Sequence, residues 1–228
     1  MPWNRKFGCE ITSKSFFQPY CLRKVLNYLA HAYLSFGRPK ILIGNLIGDS
    51  VRGAIEKKYE PEIVLGIKLH RAIDAYTDSH PVVKEAQLLL RPNFGRYSTV
   101  ITDMYFDHFL SKFWNNYHPQ PLNDFAQEVY LIVDQHADIL PEKFIKMYGN
   151  IRLYNMLVKY GEFDGIRRAL QGMAKRTTFN SNMETAHKFL DQHHEFFRLH
   201  FGDFFEDLVA YSKASLNELI NSNFISER

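Results

Sequence analysis

Cysteine is almost missing from this 228-residue chain: Cys9 and Cys21 are the only two, and both lie in the first 24 residues. The rest of the chain therefore has no disulfide framework and no thiolate zinc site, as fits a reducing cytoplasm. Long hydrophobic runs are missing too. No stretch of about 18 apolar residues occurs, so no membrane span is read, and the leading segment lacks the continuous apolar core of a secretory signal. There is no Walker loop and no Gly-x-Gly-x-x-Gly, and the absence of Gly-x-Ser-x-Gly argues against a hydrolase elbow. Strand-like alternation is scarce. No repeat, low-complexity segment or domain linker interrupts the chain.

Charge of one sign is also lacking in the body. The net charge is +3, but residues 1–24 hold five basic residues against Glu10, leaving 23 basic and 24 acidic residues elsewhere. A nearly neutral body offers no global field for nucleic acid. What is abundant is aromatic side chain, 19 Phe and 13 Tyr, enough for a packed core rather than disorder. The length suits a single well-buried domain.

Periodicity predicts helix after helix: Val25–Phe36, Pro39 to about Val51, Pro61 to about Asp78, Pro81–Leu90, Thr99–Tyr117, Leu122–Ile139, Pro141 to about Tyr160, Ile166–Lys175, and a long amphipathic helix from Met183 to Ile220 in which Gly202 is the weak point. Arg91–Gly95 reads as a loop. The expectation is an all-α single compact multi-helix domain over residues 26–228, preceded by a poorly packed extension over residues 1–25.

Several of these helices carry polar residues that apolar helices bury only at a cost. His70, Asp74 and Asp78 fall at i, i+4 and i+8 on one face. Asp103 and Asp107 repeat the spacing, with His108 about 100° away from Asp107. Asn27 and His31 are one turn apart, as are Asn45 and Asp49, and Arg52 comes three residues later. A histidine and a carboxylate four apart can reach one ion, so His70 and Asp74 are the best ligand pair. Each feature also has a plain reading: a hydrogen-bonded core histidine for His31, an exposed ion pair for Asp49 and Arg52, a solvated face for Asp74, a capped helix for Asp103. The late cluster of His187, Asp191, His193, His194 and His200 is read as structural. Glu184-x-x-His187 matches one element of a di-iron bundle, but those need two.

The pieces Asn27-Tyr28-Leu29-Ala30-His31, Gly44-Asn45-Leu46-Ile47-Gly48-Asp49-Ser50-Val51-Arg52-Gly53, Gly66-Ile67-Lys68-Leu69-His70-Arg71-Ala72-Ile73-Asp74, Thr77-Asp78, Asp107-His108-Phe109-Leu110 and Gly172-Met173-Ala174-Lys175-Arg176, taken jointly, resemble the bacterial acyl-carrier-protein phosphodiesterases. That family is considered a remote relative of the HD-type phosphohydrolases, so the resemblance implies an HD-phosphohydrolase-like helical fold. This chain has no His-Asp dipeptide, and its ligands are therefore inferred from spacing. Family members usually begin at Met-Asn-[Phe/Tyr]-Leu-Ala-His; Leu26 holds that place here, so the resemblance leads us to expect residues 1–25 to be an upstream extension.

The implied activity is hydrolysis of the phosphodiester joining 4′-phosphopantetheine to a serine of holo-acyl carrier protein. Such a substrate repels hydroxide, so a divalent ion is expected, manganese or magnesium rather than structural zinc. The expected ligand set is His31, Asp49, His70, Asp74 and Asp107. Arg71 or Arg52 would hold a nonbridging oxygen, and His108 or Asp78 would orient water or protonate the leaving serine. The carrier protein is acidic as a class, and Lys175, Arg176, Arg167 and Arg168 are expected to meet it. Two alternatives stand beside this: an HD-like phosphohydrolase of nucleotides or other small phosphoesters, and a non-enzymatic helical interaction protein.

Overall fold

A computed structural model describes residues 28–226; the leading extension, Leu26 and Asn27 lie outside the described residues. Among the described residues there is no strand. Helix α1 is Tyr28–Tyr33 and buries Leu29, His31 and Ala32. It ends where Phe36 and Gly37 both take positive φ, 52° and 69°. Pro39 then opens α2, Pro39–Ile47, at a position where its missing N–H costs nothing. A short turn at Gly48–Ser50 comes next. Pro61 opens α3, Pro61–Ser79, and extended His80 before Pro81 ends it. Proline thus punctuates the first half of the chain as expected.

The remaining helices are α4 (Pro81–Phe94), α5 (Ser98–Lys112), α6 (Leu122–Gln135), α7 (Glu142–Leu153), α8 (Met156–Lys159), α9 (Phe163–Ala174), α10 (Ala186–Gln192) and α11 (His194–Ser226). Helix α5 is buried along nearly its whole length, from Ser98 to Ser111. Phe201 and Phe204 of α11 pack on Phe106, with ring centroids 5.7 and 5.4 Å apart, and Phe201 also meets Phe109. This aromatic seam is where the abundant phenylalanine goes.

Four sequence expectations are corrected. Helix α4 runs through Pro92 to Phe94 instead of stopping at Leu90. Proline there forgoes a bond to the carbonyl of Leu88, which is 60 % exposed and can turn to water, while Phe94 is buried edge-on against Phe189. Helix α5 stops at Lys112, and the chain continues as a tight turn at Trp114–Asn116 whose indole N–H donates to the Gln120 carbonyl. The helix expected from Pro141 to Tyr160 is split at Asn155, whose φ is 47° and whose side chain accepts a hydrogen bond from Tyr130 Oη at 3.0 Å. The C-terminal helix breaks at His193, not at Gly202. Gly202 lies in open space inside α11, where a glycine costs only about 1 kcal/mol. His193 instead stacks on Phe189, while Phe197 one turn later packs on Tyr105.

Helices α2 and α3 cross at close backbone range. A Cβ added to Gly44 would overlap the Ile63 carbonyl and the Gly66 Cα, and one added to Gly66 would overlap the Ile41 carbonyl and the Gly44 Cα. Two glycines face each other across the crossing, and no other residue pair lets the backbones touch. Gly66→Val is therefore expected to destabilise the protein by at least the roughly 1–3 kcal/mol typical of overpacking, read from urea denaturation. A wild-type midpoint would contradict the crossing.

Candidate metal centre

The glycine crossing fixes the positions of the side chains beyond it on both helices. His70 lies one turn past Gly66, and its ring rests on Gly48, where any Cβ would overlap the imidazole. The turn after α2 then brings Asp49 Oδ1 to 3.3 Å from His70 Nε2. Asp74, one turn further along α3, places Oδ2 at 3.4 Å from the same nitrogen and Oδ1 at 3.5 Å from His31 Nε2. The two imidazoles stack with centroids 4.3 Å apart. His31, His70 and Asp74 each offer a donor atom within 4.8 Å of the others, and no second such trio occurs among the described residues.

Asn45 orients His31. Its Nδ2 donates to the His31 carbonyl at 2.9 Å and to Ser35 Oγ at 3.2 Å, which turns Oδ1 toward His31 Nδ1 at 2.7 Å. An amide oxygen there requires a proton on Nδ1. Burial first, and the charge of His70 second, hold the His31 pKa below its usual value, while the neighbouring Asp74 carboxylate acts in the opposite direction. With Nδ1 held by Asn45, Nε2 is the ring nitrogen turned to the Asp74 carboxylate, where a positive charge, proton or cation, is favoured between them. Both ring nitrogens of His70 are buried without a hydrogen-bond partner. A buried imidazole with no hydrogen bond of ordinary geometry, flanked by carboxylates, and a mixed nitrogen and oxygen donor set fit a divalent ion.

The electrostatics agree. Burial opposes protonation of His70, but Asp49 and Asp74 outweigh it and push its pKa up to about 9. Burial alone would raise Asp74, yet His31 and His70 hold it well below the usual carboxylate range. A proton thus occupies the centre in the metal-free protein, and a cation binding there would have to displace it.

The other expected residues are placed differently. Asp107 is buried on α5, where burial pushes it up to about 8. It lies outside the trio and borders a cleft. Half-buried Asp103 is raised well above normal by burial, then by Asp107, Asp78 and Asp74, so this second acidic row lies within the field of the first. His108 turns away: Nδ1 donates to the Tyr160 carbonyl at 2.7 Å, and burial lowers the ring to about 4. Asp78, Arg71 and Arg52 are exposed. The late histidines form no ligand group; His193 stacks on Phe189 and His200 sits 3.4 Å from Glu85.

Two features escaped the sequence reading. One is the pairing of Asn45 with His31, which are 14 residues apart. The other is the cleft, about 650 Å³, bounded by α1, α5, α7, α8 and α9. Arg168 and Arg176 border it, Lys175 lines a separate shallow pocket, and Arg167 pairs with Asp164 at 3.0 Å.

Fold and site together define an all-helical protein with a buried centre of two imidazoles and two carboxylates beside a deep cleft. The family model described as acyl carrier protein phosphodiesterase matches residues 26–208. The chain belongs to the acyl carrier protein phosphodiesterase family. It is 34 % identical over 189 residues to the acyl carrier protein phosphodiesterase of Escherichia coli K12, covering 81 % of this chain and 96 % of the relative. The Enterobacter protein of that name is 33 % identical over 189 residues, 82 % of this chain and 98 % of the relative, and that of Photorhabdus laumondii 33 % over 181 residues, 79 % and 91 %. No solved structure matches the chain. No helix among the described residues is long and apolar enough to cross a membrane.

Stability should vary with pH in a defined direction when metal is stripped. The contribution of His70 is complete below about pH 6.5 and is lost as pH rises through about 9. Asp107 acts in the same direction lower down, because ionising its buried carboxyl costs increasing free energy from about pH 4 to about pH 8. The melting temperature of the stripped protein is expected to fall between pH 6 and pH 9, and Asp107→Asn to flatten the part below pH 8. A level profile would contradict the assignment.

Proposed function

We propose that this protein is a metal-dependent phosphodiesterase that hydrolyses the 4′-phosphopantetheine–serine phosphodiester of holo-acyl carrier protein, giving apo-acyl carrier protein and 4′-phosphopantetheine. Family membership supports the substrate, and relatives so named match over most of their length. The observation that carries the chemistry is the convergence of His31, His70 and Asp74, with Asp49 behind His70. In this reading those four residues hold manganese or magnesium. When bound, such an ion supplies charge neutralisation and Lewis acidity to a phosphodiester that otherwise repels its nucleophile.

The protein's own groups do the rest. Asn45 fixes the His31 tautomer, and Gly48 gives the His70 ring its seat. Asp74, with its side chain 24 % exposed, is the edge of the centre that substrate reaches. Arg71 and Arg52, both at the surface, are assigned to a nonbridging phosphate oxygen. Asp78 or His108 carries the proton to the serine Oγ; the Nδ1 bond of His108 to the Tyr160 carbonyl leaves its Nε2 for that role. Arg168 and Arg176 are assigned to the acidic carrier protein. The reading places the protein in the cytoplasm with its substrate.

Turnover of holo-acyl carrier protein with added manganese is expected to fall at least about 100-fold in His70→Ala and in Asp74→Ala, since perturbing even the outer partners of metal ligands costs 10–100-fold. Near-wild-type turnover in both would reject the centre. Faster hydrolysis of free nucleotides than of the carrier protein, under the same conditions, would instead reject the substrate.

A further inference from the structure

The cleft beside the centre is lined by none of His31, Asp49, His70 and Asp74. We propose that it is the seat of the pantetheine arm of the carrier-protein substrate, a binding site separate from the residues that act on the phosphodiester. The inference rests on the proposed function for its ligand and on the geometry of α1 and the cleft walls for its place.

Helix α1 links the two sites. Tyr28 and Leu29 form one wall of the cleft, and His31 of the centre lies about one helical turn, roughly 5.4 Å, from Tyr28. A phosphate at the centre therefore has the cleft within reach of whatever is attached to it. The pantetheine arm is a linear chain carrying a dimethyl carbon one methylene from the phosphate oxygen, a hydroxyl, two amides and a terminal thiol. Such a chain needs a long, mainly apolar channel with a few polar points. The cleft is lined mainly by apolar side chains, with polar points that include Asp107 and Arg176, and its volume of about 650 Å³ is within the range of small-molecule sites.

Its lining is chemically suited to the arm. Met147, Met156 and Met173 all face the cleft, three of the six methionines in the chain. Their unbranched, polarisable thioethers conform to flexible ligands and suit a thiol terminus. Tyr28 Oη donates to Met147 Sδ at 3.0 Å, which holds the α1 wall to α7. Asp107, buried at the back, provides a polar point for an amide.

Gly172 offers a direct test. It lines the cleft, and a Cβ added there meets only Arg176 Nη2, at 3.8 Å. A larger side chain would thus enter the cleft without striking the backbone, and α9 would gain a better helix former. Free pantetheine is the probe, measured by calorimetry. It carries no phosphodiester, so its binding is read whether or not the protein cleaves the carrier protein. Binding is expected in the wild type and at least about tenfold weaker in Gly172→Phe, with the circular dichroism spectrum and melting temperature retained. Equal affinity in both proteins, or no binding to the wild type, would overturn the proposal.

A second measurement needs no substitution. In methyl-labelled wild-type protein, pantetheine should shift the methionine methyl signals of Met147, Met156 and Met173. Those of Met104 and Met183, both fully buried elsewhere, should stay in place. Unmoved cleft methyls at saturating pantetheine would also overturn it. Loss of carrier-protein turnover together with intact pantetheine binding would count against the proposed function alone.

Discussion

The contact between Gly44 and Gly66 is the constraint from which the centre is built. Helix α2 is buried on every side from Ile41 to Ile47, so its position cannot drift, and the paired glycines let α3 lie directly on it. That contact fixes the register of two helices at once. One turn later the same geometry sets the His70 ring against Gly48 and brings Asp49 to its Nε2. A larger residue at either crossing position would separate the helices by the width of a methyl group, more than a hydrogen bond or a metal–ligand bond tolerates.

A second layer of control comes from hydrogen bonds rather than packing. Helix α1 has only six residues, so its orientation depends on contacts beyond it. Asn45 and Ser35 supply these by bonding both the backbone and the ring of His31. The effect is to aim Nε2 at Asp74. His70 reaches the same point without any conventional hydrogen bond, and two carboxylates face it. Two carboxylates around one buried imidazole make the arrangement a receptor for positive charge, and a proton on His70 supplies it in the bare protein.

Much of this was legible in the sequence because it rests on short-range periodicity. His70 and Asp74 share a face by spacing alone, prolines at 39, 61 and 81 mark helix starts, and scarce alternation excludes sheet. What could not be read were contacts between distant turns. Nothing in the spacing of Asn45 and His31 reveals that one orients the other. His108 is next to Asp107 in sequence, but the 100° helical step sends it toward Tyr160. Asp107 has the same i, i+4 pattern as Asp74, yet α5 sets it on the cleft rather than in the trio. The break at His193 was missed because aromatic stacking, not glycine, decides where the last helix begins. The cleft, lined from five helices, has no signature in any one segment.

The central claim is that one cation lies among His31, His70 and Asp74. Crystals grown or soaked with manganese, measured at its absorption edge, test this most directly. The account predicts a single anomalous peak within coordination distance of His31 Nε2, His70 Nε2 and an Asp74 oxygen, absent in His70→Ala. A peak bound by other residues, or none in protein that hydrolyses holo-acyl carrier protein, would contradict it.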